Sequence, residues 1–260
     1  ATNSLALNGA TIKATGDASD AVLTLPGLAA TGALAVNSAL VIDGDVPTFT
    51  VASVSPASGN VAKVGDDVVV TLAAGGDETG LTASGTQTVN GVTAAFAETA
   101  GGEYTITYTV VEGNNDIADA AALPVEITLK DAAGNAGIQI TTIASGTAPG
   151  IDANTSAAPV ISAITTPNND DTPTITGTGV TGETIILLSA STNIGTTTVS
   201  ASAWSITAST LAETTHSITA TTTDPAGNLS SASTAQSIVI DTTAPTAAIT
   251  YSAAGPYKSG

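Results

Sequence analysis

The sequence predicts an all-β fold built from tandem β-sandwich domains. Residues 104–110 alternate strictly between apolar or aromatic side chains and threonine, which is the period of a strand with one buried face. Clusters of Gly, Asn and Asp separate such segments at short intervals, as they do in sandwiches. Two short motifs also recur at the spacing of a small domain, which indicates a modular array.

The first recurring motif has the form Asp-x-Ala-Gly-Asn and occurs at residues 131–135 and 224–228. The second is an Ile-Asp step that leads to a proline. It begins at Ile42, at Ile151 in a looser form, and at Ile240. Acidic residues therefore stand at each predicted joint between domains, and any function is expected at these joints or on the exposed faces.

The strand pattern fits two complete domains. In the first domain, strands are predicted at residues 68–72, 104–110, 125–129 and 138–141. In the second domain, they are predicted at residues 172–177, 183–189, 195–200, 204–207, 216–223 and 237–240. The pairing is expected to be antiparallel. The alanine-rich stretch 117–123 is the one ambiguous segment, which could form a single helical turn between strands.

The predicted domain limits are 45–150 and 151–242 for the two complete sandwiches. Residues 1–44 are interpreted as the closing strands of a preceding domain, and residues 243–260 as the first strand of a following one. The chain is thus expected to be a window from a longer array. Residues 1–44 would either be completed by strand addition from copies of the chain or neighbouring repeats, burying apolar residues of that segment, or be disordered in isolation. We name those residues as Val22, Leu23, Leu25, Leu40 and Ile42.

Composition restricts the partners. The net charge is −18, and the four basic residues are all lysines. Nucleic acids and anionic membrane surfaces are excluded as partners, because binding to either needs basic side chains. No apolar run reaches the length of a membrane span, so membrane insertion is not expected. The absence of cysteine leaves packing or divalent cations to stabilise an exported domain.

Residues 170–245 resemble the bacterial immunoglobulin-like (Big-type) tandem repeats of giant surface adhesins, biofilm-associated proteins and surface-layer proteins. The segments that carry this resemblance are 171–177, 182–185, 204–207, 215–221, 224–228 and 240–245. Residues 45–150 match more loosely. The resemblance implies tandem immunoglobulin-like sandwiches in an exported structural or adhesive protein, with calcium at the domain junctions.

Joint and loop aspartates are the candidates for such a metal site, because Ca²⁺ binds about six to eight oxygens of carboxylates and carbonyls. The candidates are Asp43, Asp45, Asp131, Asp152, Asp224 and Asp241. A plain turn is the alternative for the two Asp-x-Ala-Gly-Asn motifs. Gly134 and Gly227 would then supply positive φ, and the Asp and Asn side chains would bond local amides. The sequence leaves both interpretations open.

No residue pattern predicts catalysis, and the chain is not expected to be an enzyme. His216 is the only histidine, so it cannot build a zinc site with other histidines or cysteines. We expect it to open a strand and to form local hydrogen bonds. Trp204 is the only tryptophan and precedes Ile206 at strand spacing, which predicts a core residue and not a sugar-stacking platform.

The predicted function is structural. The repeats would form a rod, filament or lattice at the cell surface, outside the cell, with calcium stiffening the joints. The alternative is an adhesive binding module that recognises a glycan or a protein through loops of one sandwich. Exposed aromatic side chains at one end of a sandwich would favour that alternative.

Overall fold

The structure is a computed structural model that describes residues 43–247. The predicted fold class is confirmed, since this part of the chain forms two immunoglobulin-like β-sandwiches. Each has its own hydrophobic core, and both belong to one compact unit that begins at Val46. Among residues 43–247, helical structure is limited to one 3-10 turn at Gly75–Asp77. No helix within the described range has the length and apolarity needed to cross a membrane.

The first sandwich has two main sheets, with strand orders β1-β3-β8-β7 and β11-β9-β5-β6, and two short pairs, β10-β4 and β12-β2. Its strands are β1 (Phe49–Ser55), β2 (Val61–Lys63), β3 (Asp67–Ala74), β4 (Thr82–Ala83), β5 (Thr88–Val89), β6 (Val92–Thr93), β7 (Ala95–Ala100), β8 (Glu103–Thr109), β9 (Leu123–Ile127), β10 (Leu129–Lys130), β11 (Ile140–Ile143) and β12 (Gly150–Asp152).

Alternation along β3 and β8 builds the centre of the first core. The inward residues of the two strands face each other in register, with Leu72 opposite Tyr104 and Val68 opposite Tyr108. Each fully buried large apolar side chain contributes about 1.5–3 kcal/mol. The Tyr104 hydroxyl donates to the Glu78 carbonyl (3.0 Å) and accepts from the Leu81 N–H (3.0 Å), so a polar atom reaches the core without losing its hydrogen bonds.

The second sandwich repeats the plan with fewer residues, in sheets ordered β13-β14-β17 and β16-β15-β18-β19. Its strands are β13 (Val160–Ile161), β14 (Thr174–Thr178), β15 (Thr184–Ser189), β16 (Thr192–Thr198), β17 (Ala203–Thr207), β18 (Thr215–Thr223) and β19 (Gln236–Val239). Trp204 is 4% exposed and donates its ring N–H to the Thr178 carbonyl (3.1 Å), so its predicted place in the core is confirmed.

Two features differ from the sequence prediction. Residues 117–123 contain no helical turn, because Ile117 and Ile151 exchange two backbone hydrogen bonds (2.9 and 2.8 Å) and Ala120 has a φ of 61°. These constraints hold the stretch in an irregular conformation. The pairing is also not wholly antiparallel, since β12 runs parallel to β2 and Ile240 forms a parallel bridge with Asn168. In both sandwiches, therefore, a segment at the C-terminal end of the domain pairs in parallel with a segment near its N-terminal end.

The predicted division between residues 150 and 151 falls inside β12. Ile151 and Ala153 are buried in the first core, and Ile161 is the first buried residue of the second core. Residues 153–159 between them have no regular secondary structure and are called the linker below. The predicted pieces 1–44 and 243–260 lie almost entirely outside the described residues, as do the five apolar residues predicted to pair between copies.

Replacing Gly177 with alanine tests the packing of the second core. Gly177 lies in β14, and a Cβ added there would overlap the Val160 carbonyl oxygen and the Trp204 ring. We expect a loss of about 1–3 kcal/mol or more, which exceeds the roughly 0.4–1 kcal/mol that Gly→Ala gains in the unfolded chain. Guanidinium unfolding followed by Trp204 fluorescence measures it.

The control is Thr176→Val, on the exposed face of the same strand, which should stay within about 0.5 kcal/mol of the unmodified protein. Equal stabilities for the Gly177 and Thr176 variants would contradict the packing described for this core.

Candidate functional site at the junction of the two sandwiches

The linker is held to the first sandwich by two carboxylates from the loop between β8 and β9. The Asp116 carboxylate accepts the Ala153 N–H (2.9 Å), and both oxygens of Glu112 accept the Thr155 N–H (3.1 Å each). A backbone N–H without a strand partner needs such an acceptor, and hydrogen bonds to a charged group are worth about 1.5–3 kcal/mol each.

A third carboxylate holds the linker to the second sandwich. Glu183 precedes β15 and is only 3% exposed. One of its oxygens accepts from the Ser156 hydroxyl of the linker, and the other accepts from the Thr222 hydroxyl of β18 (2.8 Å). A buried carboxylate is costly unless it is hydrogen-bonded. Glu183 meets this requirement by joining the linker to the second core.

The two Asp-x-Ala-Gly-Asn motifs form the same turn, called motif turn 1 (residues 131–135) and motif turn 2 (residues 224–228). In motif turn 1, Asp131 Oδ1 accepts the N–H groups of Gly134 (2.7 Å) and Asn135 (2.8 Å), and Oδ2 accepts from Asn135 Nδ2 (2.9 Å). Burial raises the pKa of Asp131. The hydrogen bonds from Asn135, Gly134 and Ala133 outweigh burial and lower the pKa below its usual value.

Motif turn 2 repeats these bonds. Asp224 Oδ1 accepts from Gly227 N (2.8 Å) and Asn228 N (2.9 Å), and Oδ2 accepts from Asn228 Nδ2 (3.0 Å). The glycines at the fourth position have φ values of 97° and 95°, which only glycine adopts freely. Both carboxylates are thus hydrogen-bonded within their turns, as the plain-turn alternative predicts.

The three joint aspartates also share one local geometry. Each carboxylate accepts the backbone N–H of the residue two positions ahead, which fixes the local direction of the chain. The donor–acceptor distances are 3.1 Å for Asp43, 3.3 Å for Asp152 and 3.1 Å for Asp241. For Asp152 and Asp241, this bond lies where the chain leaves a sandwich.

The second joint, after β19, repeats the clasp of the first. Glu213 lies in the loop after β17, as Glu112 lies in the loop after β8. It accepts the Thr242 N–H (3.2 Å), the Thr242 hydroxyl and the Thr243 hydroxyl (2.9 Å). These bonds, chiefly those from the two hydroxyls, lower the pKa of Glu213. A loop glutamate and an Ile-Asp step thus form the exit of both sandwiches.

Negative charge is concentrated at the first joint. The pKa of Asp152 is raised by burial, and further by the charges of Asp224, Asp116 and Glu112, while the Asn154 N–H acts in the opposite direction. Two of the six candidate aspartates, Asp152 and Asp224, therefore lie close enough for their charges to interact.

Asp241 and Asp131 lie elsewhere. Val239, at the end of β19, pairs with Thr215 at the start of β18, so Asp241 is at the opposite end of that sheet from Asp224. Asp131 follows β9 and β10, at the far end from the loop that carries Glu112 and Asp116. Within residues 43–247, no three carboxylate or imidazole side chains stand close enough together to hold a metal ion. The metal assignment of the six aspartates stays a prediction.

His216 has the predicted structural environment. Its Nδ1 is 2.9 Å from the Ser189 hydroxyl, and its Nε2 is 2.9 Å from the Ala212 carbonyl oxygen. It lies at the start of β18, so the prediction of a strand-opening residue with local hydrogen bonds is confirmed.

The sequence does not predict the joint contacts of three residues. Glu183 lies in a predicted strand, Glu213 belongs to no recurring motif, and Asn228 ends a predicted turn. Glu213 could have been found by aligning the two loops that follow β8 and β17. The contacts of Glu183 and Asn228 join segments far apart in the chain, and no local pattern predicts them.

Comparison with known families supports the resemblance over the second sandwich. Residues 147–242 match the family model of the bacterial Ig-like domain, which confirms the resemblance predicted for residues 170–245. The match begins in the segment before β12 and ends just beyond Asp241. No curated protein matches the chain.

Three solved structures are among those to which the chain is similar. A bacterial ice-binding adhesin described as 1.5 MDa is 26% identical, with coverage of 75% of this chain and 65% of that one and a TM-score of 0.33. The BSP domain of a biofilm-associated protein is 19% identical, covering 75% and 30%, with a TM-score of 0.28. The fibronectin(III)-like modules of Clostridium thermocellum CbhA are 15% identical, covering 74% and 94%, with a TM-score of 0.36.

Replacing Asp152 with asparagine tests the charge crowding at the first joint. The variant keeps the Oδ1 acceptor for the Asn154 N–H and loses the charge. Because the folded-state pKa is raised, the aspartate stabilises the fold only at low pH, and this contribution is lost as pH rises through that pKa. Without divalent cations, Asp152→Asn should therefore raise the melting temperature at about pH 7. It should have little effect at about pH 3, below the usual aspartate pKa.

Thermal unfolding followed by circular dichroism measures the melting temperatures of Asp152→Asn and of a matched control variant. Asp241→Asn removes one charge from the same local geometry at the second joint and controls for the lower net charge. An equal rise in the melting temperature of both variants would show that negative charge is no more crowded at the first joint than at the second.

Proposed function

We propose that the chain is a structural repeat segment of a long extracellular surface protein, in which immunoglobulin-like sandwiches form a rod, filament or lattice stiffened by calcium at the joints. The observation that carries the proposal is the repetition of one chain exit after both sandwiches. Glu112 with Asp152, and Glu213 with Asp241, clasp the departing chain in the same way. A joint that is repeated with its domain is what a modular array requires.

The first joint limits the freedom between neighbouring sandwiches. Its linker is short, and hydrogen bonds to side chains of both domains occupy it from Ala153 to Ser156. A flexible connector would instead have a solvated backbone. We therefore propose that the joint transmits orientation from one repeat to the next, which suits a stalk or filament.

Calcium fits the charge of the first joint. Asp152 and Asp224, with Asp116 and Glu112 beside them, would supply carboxylate oxygens. Burial raises the pKa of Asp152 and the neighbouring charges raise it further, and a divalent cation would remove that repulsion. A small movement of the half-buried Asp152 and Asp224 and the exposed Asp116 and Glu112 would be needed for three of them to converge. Asp241 would belong to the second joint, while Asp43, Asp45 and Asp131 stay candidates on sequence grounds.

The extracellular location follows from the same chemistry and stays part of the proposal. Extracellular calcium modules bind with dissociation constants of about 10⁻⁴–10⁻³ M, which suits a site whose ligands must move to converge on the ion. A net charge of −18 and the absence of cysteine suit a domain stabilised by packing and cations outside the cell.

The alternative, a binding module for a glycan or a protein, has less support. Tyr104, Tyr108 and Trp204 are buried, so they cannot form an exposed stacking platform. The open groove of about 670 Å³ beside Trp204 is walled by threonine, serine and small residues such as Thr176 and Ser205. We propose no catalytic activity for either sandwich.

Calcium should stabilise the joint in calorimetry of the full chain. A ligand that binds only the folded state adds RT ln(1 + [L]/Kd), or about 2.7 kcal/mol at roughly 100 times Kd. We expect millimolar calcium to raise the melting temperature relative to excess chelator, and Asp152→Asn to lose most of this shift.

Asp77→Asn is the matched control, because Asp77 is an exposed acidic residue of the first sandwich outside the joint and asparagine tolerates its positive φ. This variant should keep the full calcium shift. Identical transitions of the unmodified protein in chelator and in calcium would reject the calcium part of the proposal.

A further inference from the structure

Asn228 links motif turn 2 to the first sandwich and to the end of β12. Its Oδ1 accepts the backbone N–H of Val64 (2.8 Å). Its Nδ2 donates to the Asp152 carbonyl oxygen (3.2 Å) and to Asp224 Oδ2 within its own turn (3.0 Å). The residue is 2% exposed, so these bonds form away from water, where an unpaired amide would be costly.

The first sandwich presents the Val64 N–H through a defined turn. Asp66 N donates to the Lys63 carbonyl (3.0 Å), and Gly65 has a φ of 90°, so Val64 is the second residue of a turn whose third residue is glycine. The Asp66 carboxylate accepts the Lys63 N–H (3.1 Å) and contacts its ammonium group (3.3 Å). With the turn closed in this way, the Val64 N–H is available to an outside acceptor.

The backbone of motif turn 2 also lies against the first sandwich. A Cβ added at Gly227 would be 3.3 Å from Lys63 Cδ and 3.6 Å from Cε. Gly227 therefore meets two requirements, a φ of 95° and a close approach to the lysine stem. Contact by both the turn backbone and the Asn228 side chain makes this a docking surface between domains.

We propose that Asn228 is an interdomain latch whose carboxamide fixes the second sandwich on the first in one orientation without a metal ion. A carboxamide offers two N–H donors and an acceptor, and all of them are used here. Aspartate could not donate at this position, and alanine could neither donate nor accept. The latch is independent of the calcium proposal, because it needs only protein hydrogen bonds.

The competing explanation is that Asn228 merely closes its turn through Asp224. Motif turn 1 allows the two to be separated, since Asn135 makes the same bond to Asp131 Oδ2 in the other copy. A loss of turn closure would follow from either asparagine variant. A change in the orientation of the two sandwiches would follow only from the variant at residue 228.

The test measures the distance between the two sandwiches in the full chain by electron–electron double resonance, in excess chelator. The chain has no cysteine, so spin labels can be placed uniquely at Glu126→Cys and Ser237→Cys, on exposed strand positions of the two domains. We expect Asn228→Ala to broaden the distance distribution, and Asn135→Ala to leave it as narrow as in the parent.

A second variant spares motif turn 2. Val64→Pro removes the N–H that Asn228 accepts, and proline suits the second position of a turn with glycine third. It should broaden the distribution, whereas Val64→Ala, which keeps the N–H, should not. Circular dichroism confirms folding of each variant. An unchanged distribution in both Asn228→Ala and Val64→Pro, or equal broadening in Asn135→Ala, would overturn the latch.

Discussion

Hydrogen bonds from side chains to the backbone at the linker hold the two domains in one relative orientation. The linker has no strand partner, and its polar backbone groups must still be paired wherever they leave water. Asp116 and Glu112 of the first domain accept linker N–H groups, while Asn228 of the second domain donates to the carbonyl of Asp152, at the end of β12 just before the linker. If these side chains were removed, each sandwich would keep its own core, but the path between them would no longer be defined.

The same constraint concentrates negative charge. Acceptors for backbone N–H groups are most effective as carboxylates, so a joint built in this way collects acidic groups in a small volume. Burial raises the pKa of Asp152, and the charges of Asp224, Asp116 and Glu112 raise it further. Protonation of Asp152 at low pH, or a divalent cation, would relieve the repulsion between these groups. The same carboxylates accept backbone hydrogen bonds and supply the negative charge that would attract a cation. This explains why acidic residues recur at the joints of a chain with few charges.

The sequence predicted the features that depend on local pattern. The alternation of residues 104–110 corresponds to β8 (Glu103–Thr109), and the stretch 216–223 to β18 (Thr215–Thr223). The motif turns were also predictable, since Asp, Gly and Asn specify such a turn locally. The parallel closure by β12 and the contact of Asn228 with Val64 were not, because each joins segments far apart in the chain. Sequence spacing could not indicate that the candidates Asp152 and Asp224 lie at the same joint, since that depends on which ends of the sheets coincide.

The protein's own hydrogen bonds are expected to make the two sandwiches move as one body. Nitrogen-15 relaxation of the full chain in excess chelator measures this, because backbone amides of each domain report its rotational diffusion separately. Amides of the first and second sandwich should fit one shared diffusion tensor. Two independent tensors, with faster tumbling of each domain, would contradict it.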